Sequence, residues 1–334
     1  MERTLAARTR ESRFHGLLVV DKPGDPAPGA AQSGPHAPTS HDVVQMVRRW
    51  SGQRRIGHTG TLDPMASGVL VLCLGRAARL VEYYQNHDKQ YYAELALGAA
   101  TDTYDAAGAV TAEAPVPMLD RGSLDEVLAQ FRGDILQTPP AYSAIKQKGE
   151  ALYRKARRGE TVQIEPRRVA IRQLDLLDYQ PGRRLCLRVV CSAGAYIRSL
   201  AHDIGIALDS YAHLALLRRE AAGPFSLADA HSLEETAAAA EAGQFAALLR
   251  PPGDGLDLPA LRLAADTLTR LGYGQIVALP FAPPARKPAG CAENQLALAL
   301  TEDGGFAGIV RCLGPAETSQ AGCLWKAEKW LTTS

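Results

Sequence analysis

Between Gly57 and Gly68 the chain reads GHTGTLDPMASG, and this run limits the possible fold more than any other. Three glycines and a proline in twelve residues exclude a continuous helix or a regular strand, so the segment is a tight loop between elements. Pro64 also clashes with an α conformation at the residue before it, which puts Asp63 on extended or turn backbone with its side chain free to project. Such a carboxylate has two readings. It caps its own turn as an ordinary Asx acceptor, or it is held out as a nucleophile.

At 334 residues, 46% of them hydrophobic and 22% charged, the chain has the composition of a soluble globular protein with one large or two ordinary domains. No stretch approaches 18 uninterrupted apolar residues, and the N-terminal MERTLAARTRESR carries arginines without the apolar run of a secretory signal, so a cytoplasmic location and no membrane contact are expected. Six cysteines without a CxxC spacing, in a chain with no export signal, predict reduced thiols. Cys186 and Cys191 fall on opposite faces of the strand LCLRVVC, which argues against a structural zinc site. Neither an HExxH, a Walker loop nor a dinucleotide GxGxxG in a βαβ setting occurs; no metal and no cofactor are expected.

The apolar patterning alternates between period two and period 3.6 along the chain. GLLVVD and VLVLCL read as short buried strands, QYYAELAL as an alternating strand, and VAIRQLDLLDY and LCLRVVC as two more. Val43, Met46, Val47 and Trp50 recur at helical spacing behind a Ser40 cap; AARLVEYYQ, residues 123–131, residues 150–158 and AYIRSLAHDIGIAL also read as helices. Strands next to strands as well as to helices predict an α+β fold around a mixed sheet. GDPAPGAAQSGPHAP, at about 24–38, reads as a flexible loop, and HSLEETAAAAEAG followed by RPPGDG as a helix and a linker. A small unit with one helix and several short strands follows.

Net charge is only +1, but it divides unevenly: +4 over residues 1–230 and −3 over residues 231–334. Arg48-Arg49 with Arg54-Arg55, Arg154-Lys155 with Arg157-Arg158, Arg167-Arg168, Arg183-Arg184 and Arg218-Arg219 together predict a phosphate-binding face, where any one cluster alone reads as a solvated edge.

The Asp63 loop, with GLLVVDKP at Gly16 to Pro23, DKQYYAELALGAATDTYDAAG at Asp88 to Gly108, PPAYSAIKQKGEALYRKARRGE at Pro139 to Glu160 and CSAGAYIRSLAHDIG at Cys191 to Gly205, resembles the TruB family of tRNA pseudouridine synthases over most of residues 14–225. The resemblance implies the pseudouridine synthase fold, a central, largely antiparallel sheet crossed by the active-site cleft, at residues 14–250. It implies a small β-rich, PUA-like RNA-binding domain at 258–334, a basic tail at 1–13, and an insertion at about 24–38. The implied activity is isomerisation of uridine 55 in the T-loop of tRNA, with tRNA as partner, no obligate protein partner and a monomeric state.

Asp63 matches the family nucleophile, Arg198 its ion-pair partner, and Tyr91 the tyrosine that stacks on the flipped uracil and is proposed to take the final proton. Tyr196 and Leu217 match further pocket residues, and His58 matches the histidine that supports the displaced RNA loop. Lys22 is expected either to meet a backbone phosphate or to support the active loop. To remain ionised in a closed site Asp63 needs a cation, because an opposite charge within a few Å lowers a carboxylate pKa by about 1–3 units, and Arg198 is the matched candidate. Two other classes remain in view on residues alone: a non-catalytic tRNA-binding or tRNA-folding protein, which predicts a lost nucleophile, and a hydrolase with an aspartyl nucleophile, which predicts a second carboxylate or histidine partner.

Overall fold

A computed structural model describes residues 12–25, 37–142, 146–147, 150–151, 158, 164–279, 292–316 and 322–331. Most of the N-terminal tail and of the 24–38 insertion therefore lies outside the described residues, as do Arg154, Lys155 and Arg157. The insertion begins and ends close together, since the Ala37 amide donates to Asp25 Oδ1 at 2.8 Å.

Nine strands form the main sheet: β1 (Gly16–Lys22), β2 (Ile56–His58), β3 (Ser67–Leu74), β4 (Lys89–Leu97), β5 (Gly133–Gln137), β6 (Arg167–Gln180), β7 (Arg184–Cys191), β8 (Ala212–Ala222) and β9 (Phe225–Ser226). The order is β1-β3-β8-β4-β7-β6-β5, with β2 beside β3 and β9 beside β8. Every pairing is antiparallel except β3 with β8, where Gly68 faces Arg219. Only glycine fits there: a Cβ at Gly68 would lie 2.1 Å from the Arg219 carbonyl oxygen, and its φ is +105°. The last residue of the GHTGTLDPMASG run thus lets the loop leave the sheet beside β8.

Helices α1 (Ser40–Ser51), α2 (Val81–Gln85), α3 (Arg121–Ala129), α4 (Ile197–Ala207) and α5 (Leu233–Glu241) complete this part. The first is fixed at both ends by its own sequence. Thr39 and Asp42 form a capping box, Gly52 ends it in the left-handed region, and Val43, Val44 and Val47 face the core. One face of the sheet, with Leu18, Leu70, Leu72, Tyr91, Ala93 and Leu95, packs against apolar residues of α1, α3, α4 and α5. Its other face, with Leu17, Val19, Val69, Val71 and Cys73, is covered in part by Ile309, Phe306 and Leu331 of the C-terminal residues. This explains why β3 is a continuous apolar run and not an alternating one: both its faces are buried.

Those C-terminal residues build a second, five-stranded sheet from β10 (Ala260–Arg262), β11 (Val277–Leu279), β12 (Leu296–Leu300), β13 (Phe306–Pro315) and β14 (Cys323–Trp330), in the order β10-β12-β13-β14-β11, with α6 (Ala265–Gly272) beside it. Arg76 and Arg79 donate to the carbonyls of Leu331 and Trp330 across the junction, at 3.0 and 2.7 Å. The α+β architecture with a β-rich C-terminal unit is as expected. Two readings need correction. Glu150–Ala151 pair as a strand with Lys146–Gln147 where a helix was expected to begin; residues 152–157 lie outside the described residues. Cys323 is disulfide-bonded, with its partner outside the described residues, while Cys73, Cys186, Cys191 and Cys312 are free and buried.

Candidate active site

Period-two geometry in β4 sends Lys89, Tyr91, Ala93 and Leu95 to the buried side, and Tyr91 sits in the middle strand of the sheet, opposite Val189 of β7 and Arg219 of β8. Over it opens a cleft of about 930 Å³. Asp63, Tyr91, Arg198, His58, Tyr196 and Leu217 all line this cleft, although they come from four separated segments of the chain.

The loop carrying Asp63 is held by its backbone. Arg219 Nη2 donates to the Gly60 carbonyl at 3.1 Å, Ser40 Oγ to the Leu62 carbonyl at 3.0 Å, and Lys22 Nζ to the Pro64 and Ala66 carbonyls at 3.1 and 2.7 Å. Four alternate carbonyls are therefore fixed by three side chains from β1, α1 and β8. The Leu62 amide returns a bond to Ser40 Oγ at 2.8 Å, and the Ala66 amide closes the turn on the Asp63 carbonyl at 3.0 Å. Each such bond is worth about 0.5–1.5 kcal/mol net, but leaving its buried carbonyl bare costs about 1–3, so the loop has one favoured shape.

Asp63 meets Arg198 of α4. Arg198 Nη2 donates to Oδ1 at 3.1 Å and Nε lies 2.9 Å from Oδ2, so the guanidinium faces both carboxylate oxygens. The rest of that guanidinium is spoken for: Nη1 donates to the Thr103 carbonyl at 3.1 Å and lies 3.4 Å from Asp105 Oδ2, and Nη2 also donates to the Tyr142 carbonyl at 3.0 Å. With only 4% of its surface exposed, Arg198 is a fixed part of the cleft floor. About a third of the Asp63 side chain (33%) remains open to the cleft. Burial pushes the Asp63 carboxyl above its ordinary value, with Asp105 adding to the rise and Arg198 and Lys22 pulling against it. The cost of desolvating the carboxylate exceeds the help from its partner, which is why the site needs that cation.

Burial likewise raises the Tyr91 phenol, against the pull of Arg219, so it stays protonated at neutral pH. His58 is pushed down by burial and by Arg219, which keeps its imidazole neutral. Tyr196 is the residue before α4, and its backbone is gripped by Gln137 of β5: the side-chain amide donates to the Tyr196 carbonyl at 3.0 Å and its oxygen accepts from the Tyr196 amide at 2.7 Å. Leu217, opposite Ala93, is an apolar wall.

Lys22 differs from the other six. It is fully buried (0%) and spends its three donors on the carbonyls of Pro23, Pro64 and Ala66. It cannot reach a phosphate, so of its two expected roles the phosphate contact is corrected and support of the Asp63 loop remains; burial lowers its pKa to about 8. Arg219 and Asp105 escaped the sequence reading. Arg219, 2% exposed, was grouped with surface basic pairs, yet it donates to Val69 and Gly60 carbonyls inside the site. The available signal was spacing: Arg219 stands two residues after Leu217, as Lys89 stands two before Tyr91, and both line the cleft.

The comparisons with known proteins point to one family. The TruB family pseudouridylate synthase N-terminal domain matches residues 48–197, and the tRNA pseudouridylate synthase B C-terminal domain matches residues 198–252. The chain is 48% identical over 243 residues to tRNA pseudouridine synthase B of Symbiobacterium thermophilum, covering 72% of this chain and 79% of that protein. It is 40% identical over 298 residues to the protein of the same name from Xanthomonas campestris, covering 89% of each. Among solved structures, an H/ACA RNP bound to a substrate RNA containing 2'-deoxyuridine superposes with a TM-score of 0.69 at 22% identity, over 96% of this chain and 86% of that one. A Cbf5-Nop10-Gar1 complex gives 0.68 at 24%, over 95% and 85%. These two share the fold. A carboxylate paired with a buried arginine beside a tyrosine on the middle strand, on that fold and with those relatives, places the chain in the TruB family of pseudouridylate synthases, enzymes of the isomerase class.

Proposed function

We propose that this protein converts uridine 55 in the T-loop of tRNA to pseudouridine, with Asp63 as the reacting carboxylate. The relatives named tRNA pseudouridine synthase B support the tRNA substrate. The observation that carries the mechanism is the Asp63–Arg198 pair on the floor of a cleft large enough for a nucleoside.

The reaction is an isomerisation. The bond from ribose C1′ to N1 breaks, the uracil turns, C5 joins C1′, and the C5 proton leaves while N1 gains one. Nothing is oxidised, and the cleft supplies a carboxylate at the glycosidic centre. Asp63 either attacks C1′ or removes a ribose proton on a glycal route; the pair geometry serves both. Arg198 keeps Asp63 ionised and aimed, and three hydrogen bonds, to Asp63 and to the Thr103 and Tyr142 carbonyls, hold it in place.

A uridine inside a folded loop must be flipped out of its stack, at a cost of a few kcal/mol. The Tyr91 ring is the platform that receives it, with Leu217 and Tyr196 as walls. In this reading Tyr91 both stacks on the uracil and takes the C5 proton; burial keeps its phenol protonated in the free enzyme, which suits the first task. Neutral His58, at the rim, supports the displaced loop. In the same reading residues 14–250 form the catalytic domain, residues 258–334 act as a PUA-like RNA-binding unit, and the enzyme works as a cytoplasmic monomer.

Incubating an unmodified tRNA transcript with the purified protein and mapping pseudouridine by its carbodiimide adduct, which stops primer extension, tests this. One new pseudouridine at position 55 is expected. A modified site elsewhere, or none, contradicts the proposal.

A further inference from the structure

The five basic clusters of the sequence do not share one fate. Arg218 pairs with Asp21 at 2.8 Å and Arg219 is buried against the loop. Arg184 pairs with Glu94 and Asp178 at 3.2 and 3.4 Å. Arg167, Arg168 and Arg183 are exposed at the start of β6 and just before β7, and the largest group stands at the far end of α1 and in the turn that follows: Arg48, Arg49, Arg54 and Arg55. From Val43 to Leu62 the sequence has no Asp or Glu to neutralise them.

Arg49, Arg54 and Arg55 are exposed, and among the described residues their guanidinium groups have no ion-pair or hydrogen-bond partner. Arg48 is half-buried; its Nη2 donates to the Ile56 carbonyl at 3.2 Å, and its Nε is buried without a partner. Gln45, Arg48, Arg49, Gly52, Gln53 and Arg54 line a shallow depression. The helix dipole accounts for Arg48 and Arg49 in the last turn, but not for Arg54 and Arg55 beyond the helix.

This patch is continuous with the cleft along two routes. α1 begins at Ser40 and His41, which line the cleft, and β2 leads from Arg55 back to His58, which also lines it. From His41 to Arg49 is eight helical residues, roughly 12 Å at about 1.5 Å per residue. A stacked nucleic-acid strand advances about 3.4 Å per nucleotide, so RNA whose target occupies the cleft reaches the patch within about four nucleotides.

We infer that Arg48, Arg49, Arg54 and Arg55 form a phosphate-binding ridge that grips the backbone of the substrate RNA beside the flipped nucleotide. The inference rests on the functional reading above. The ridge reads charge and spacing, not bases, so it contributes affinity and register without taking part in the chemistry.

The test is titration of tRNA onto Arg49→Gln/Arg54→Gln at several salt concentrations. The charge-matched control is Arg121→Gln/Arg132→Gln, which removes two exposed cations at the start of α3 and just beyond its end, outside the cleft lining. The ridge variant should bind about tenfold or more weakly at physiological salt, and its slope of log affinity against log salt should fall by between about one and two, as for two lost phosphate contacts. Arg49→Lys/Arg54→Lys should keep most of that slope, which also shows that the site tolerates substitution without unfolding. Turnover at saturating tRNA should stay unchanged. Equal losses in the ridge and control variants, or an unchanged slope, would overturn the ridge. Pseudouridine formation by the wild type tests the functional reading separately, because the ridge is decided by the binding difference alone.

Discussion

The two large sheets of this protein spend buried side chains differently. Among the described residues the buried charged side chains are Lys22, Lys89, Asp105, Arg198 and Arg219, and all five surround the cleft or its loop. The C-terminal sheet buries none; Leu261, Leu271, Val277, Ala297, Ala299, Val310 and Trp325 give it an ordinary apolar core. Burying a charge is expensive unless it is paired and hydrogen-bonded, whereas apolar burial stabilises directly at about 25 cal/mol per Å². The cleft is therefore organised for position and the second sheet for cohesion.

That contrast is broken most directly at Arg198. Arg198→Ala leaves Asp63 and Asp105 in the cleft without their cation, and turnover should drop by about 10²–10³-fold, the usual cost of one preorganised electrostatic partner. Arg198→Lys should recover only part of this, because a point charge cannot face both Asp63 oxygens and the Thr103 and Tyr142 carbonyls together. Wild-type turnover by the alanine variant would remove the ion pair from the account.

Trp325→Ala should do the opposite. It opens the core of the second sheet at about 3–5 kcal/mol of stability, measured by denaturant unfolding, while turnover per folded molecule stays within about threefold. Comparable loss of catalytic rate would show that the two sheets are not energetically separate.

Lys22 tests whether position alone matters. In Lys22→Met the carbonyls of Pro23, Pro64 and Ala66 lose their donor, at about 1–3 kcal/mol for each one left unpaired and less where water enters. A tenfold lower turnover with unchanged tRNA affinity is expected. Weakened affinity with normal turnover would instead restore the phosphate role.

The smallest effect is in pH dependence. Asp63 must be ionised to react, and its pKa lies above the ordinary carboxylate value of about 3.9, so activity is full above the raised pKa and is lost as pH falls through it. Single-turnover rates should therefore begin to fall at a higher pH than a solvated aspartate would give. A rate that stays level down to pH 4 would contradict the raised value.

Much of this contrast was legible before any coordinates. GHTGTLDPMASG marks its own loop because glycine and proline act locally, and the alternation in QYYAELAL places Tyr91 on the buried side without help from the rest of the fold. What a sequence hides is cross-strand register and burial. Arg218 and Arg219 are adjacent and identical, yet one pairs with Asp21 near the surface and the other is sealed under the loop; only the parallel pairing of β8 with β3 decides that. Lys22 was ambiguous for the same reason, since its three acceptors are carbonyls, and one residue type's carbonyl reads like another's. The covering of β1 and β3 by Ile309, Phe306 and Leu331 was hidden too, because it joins residues more than 230 positions apart.

The central claim is that Asp63 acts in the chemistry and not in holding RNA. Asp63→Asn keeps the size of the side chain and a hydrogen-bond acceptor toward Arg198 while removing the nucleophilic charge. Pseudouridine mapping and tRNA titration on the same preparation give the most direct test. The account predicts no detectable product with tRNA affinity within about tenfold of wild type, roughly 1.4 kcal/mol. Product at a near wild-type rate from the asparagine variant would contradict it.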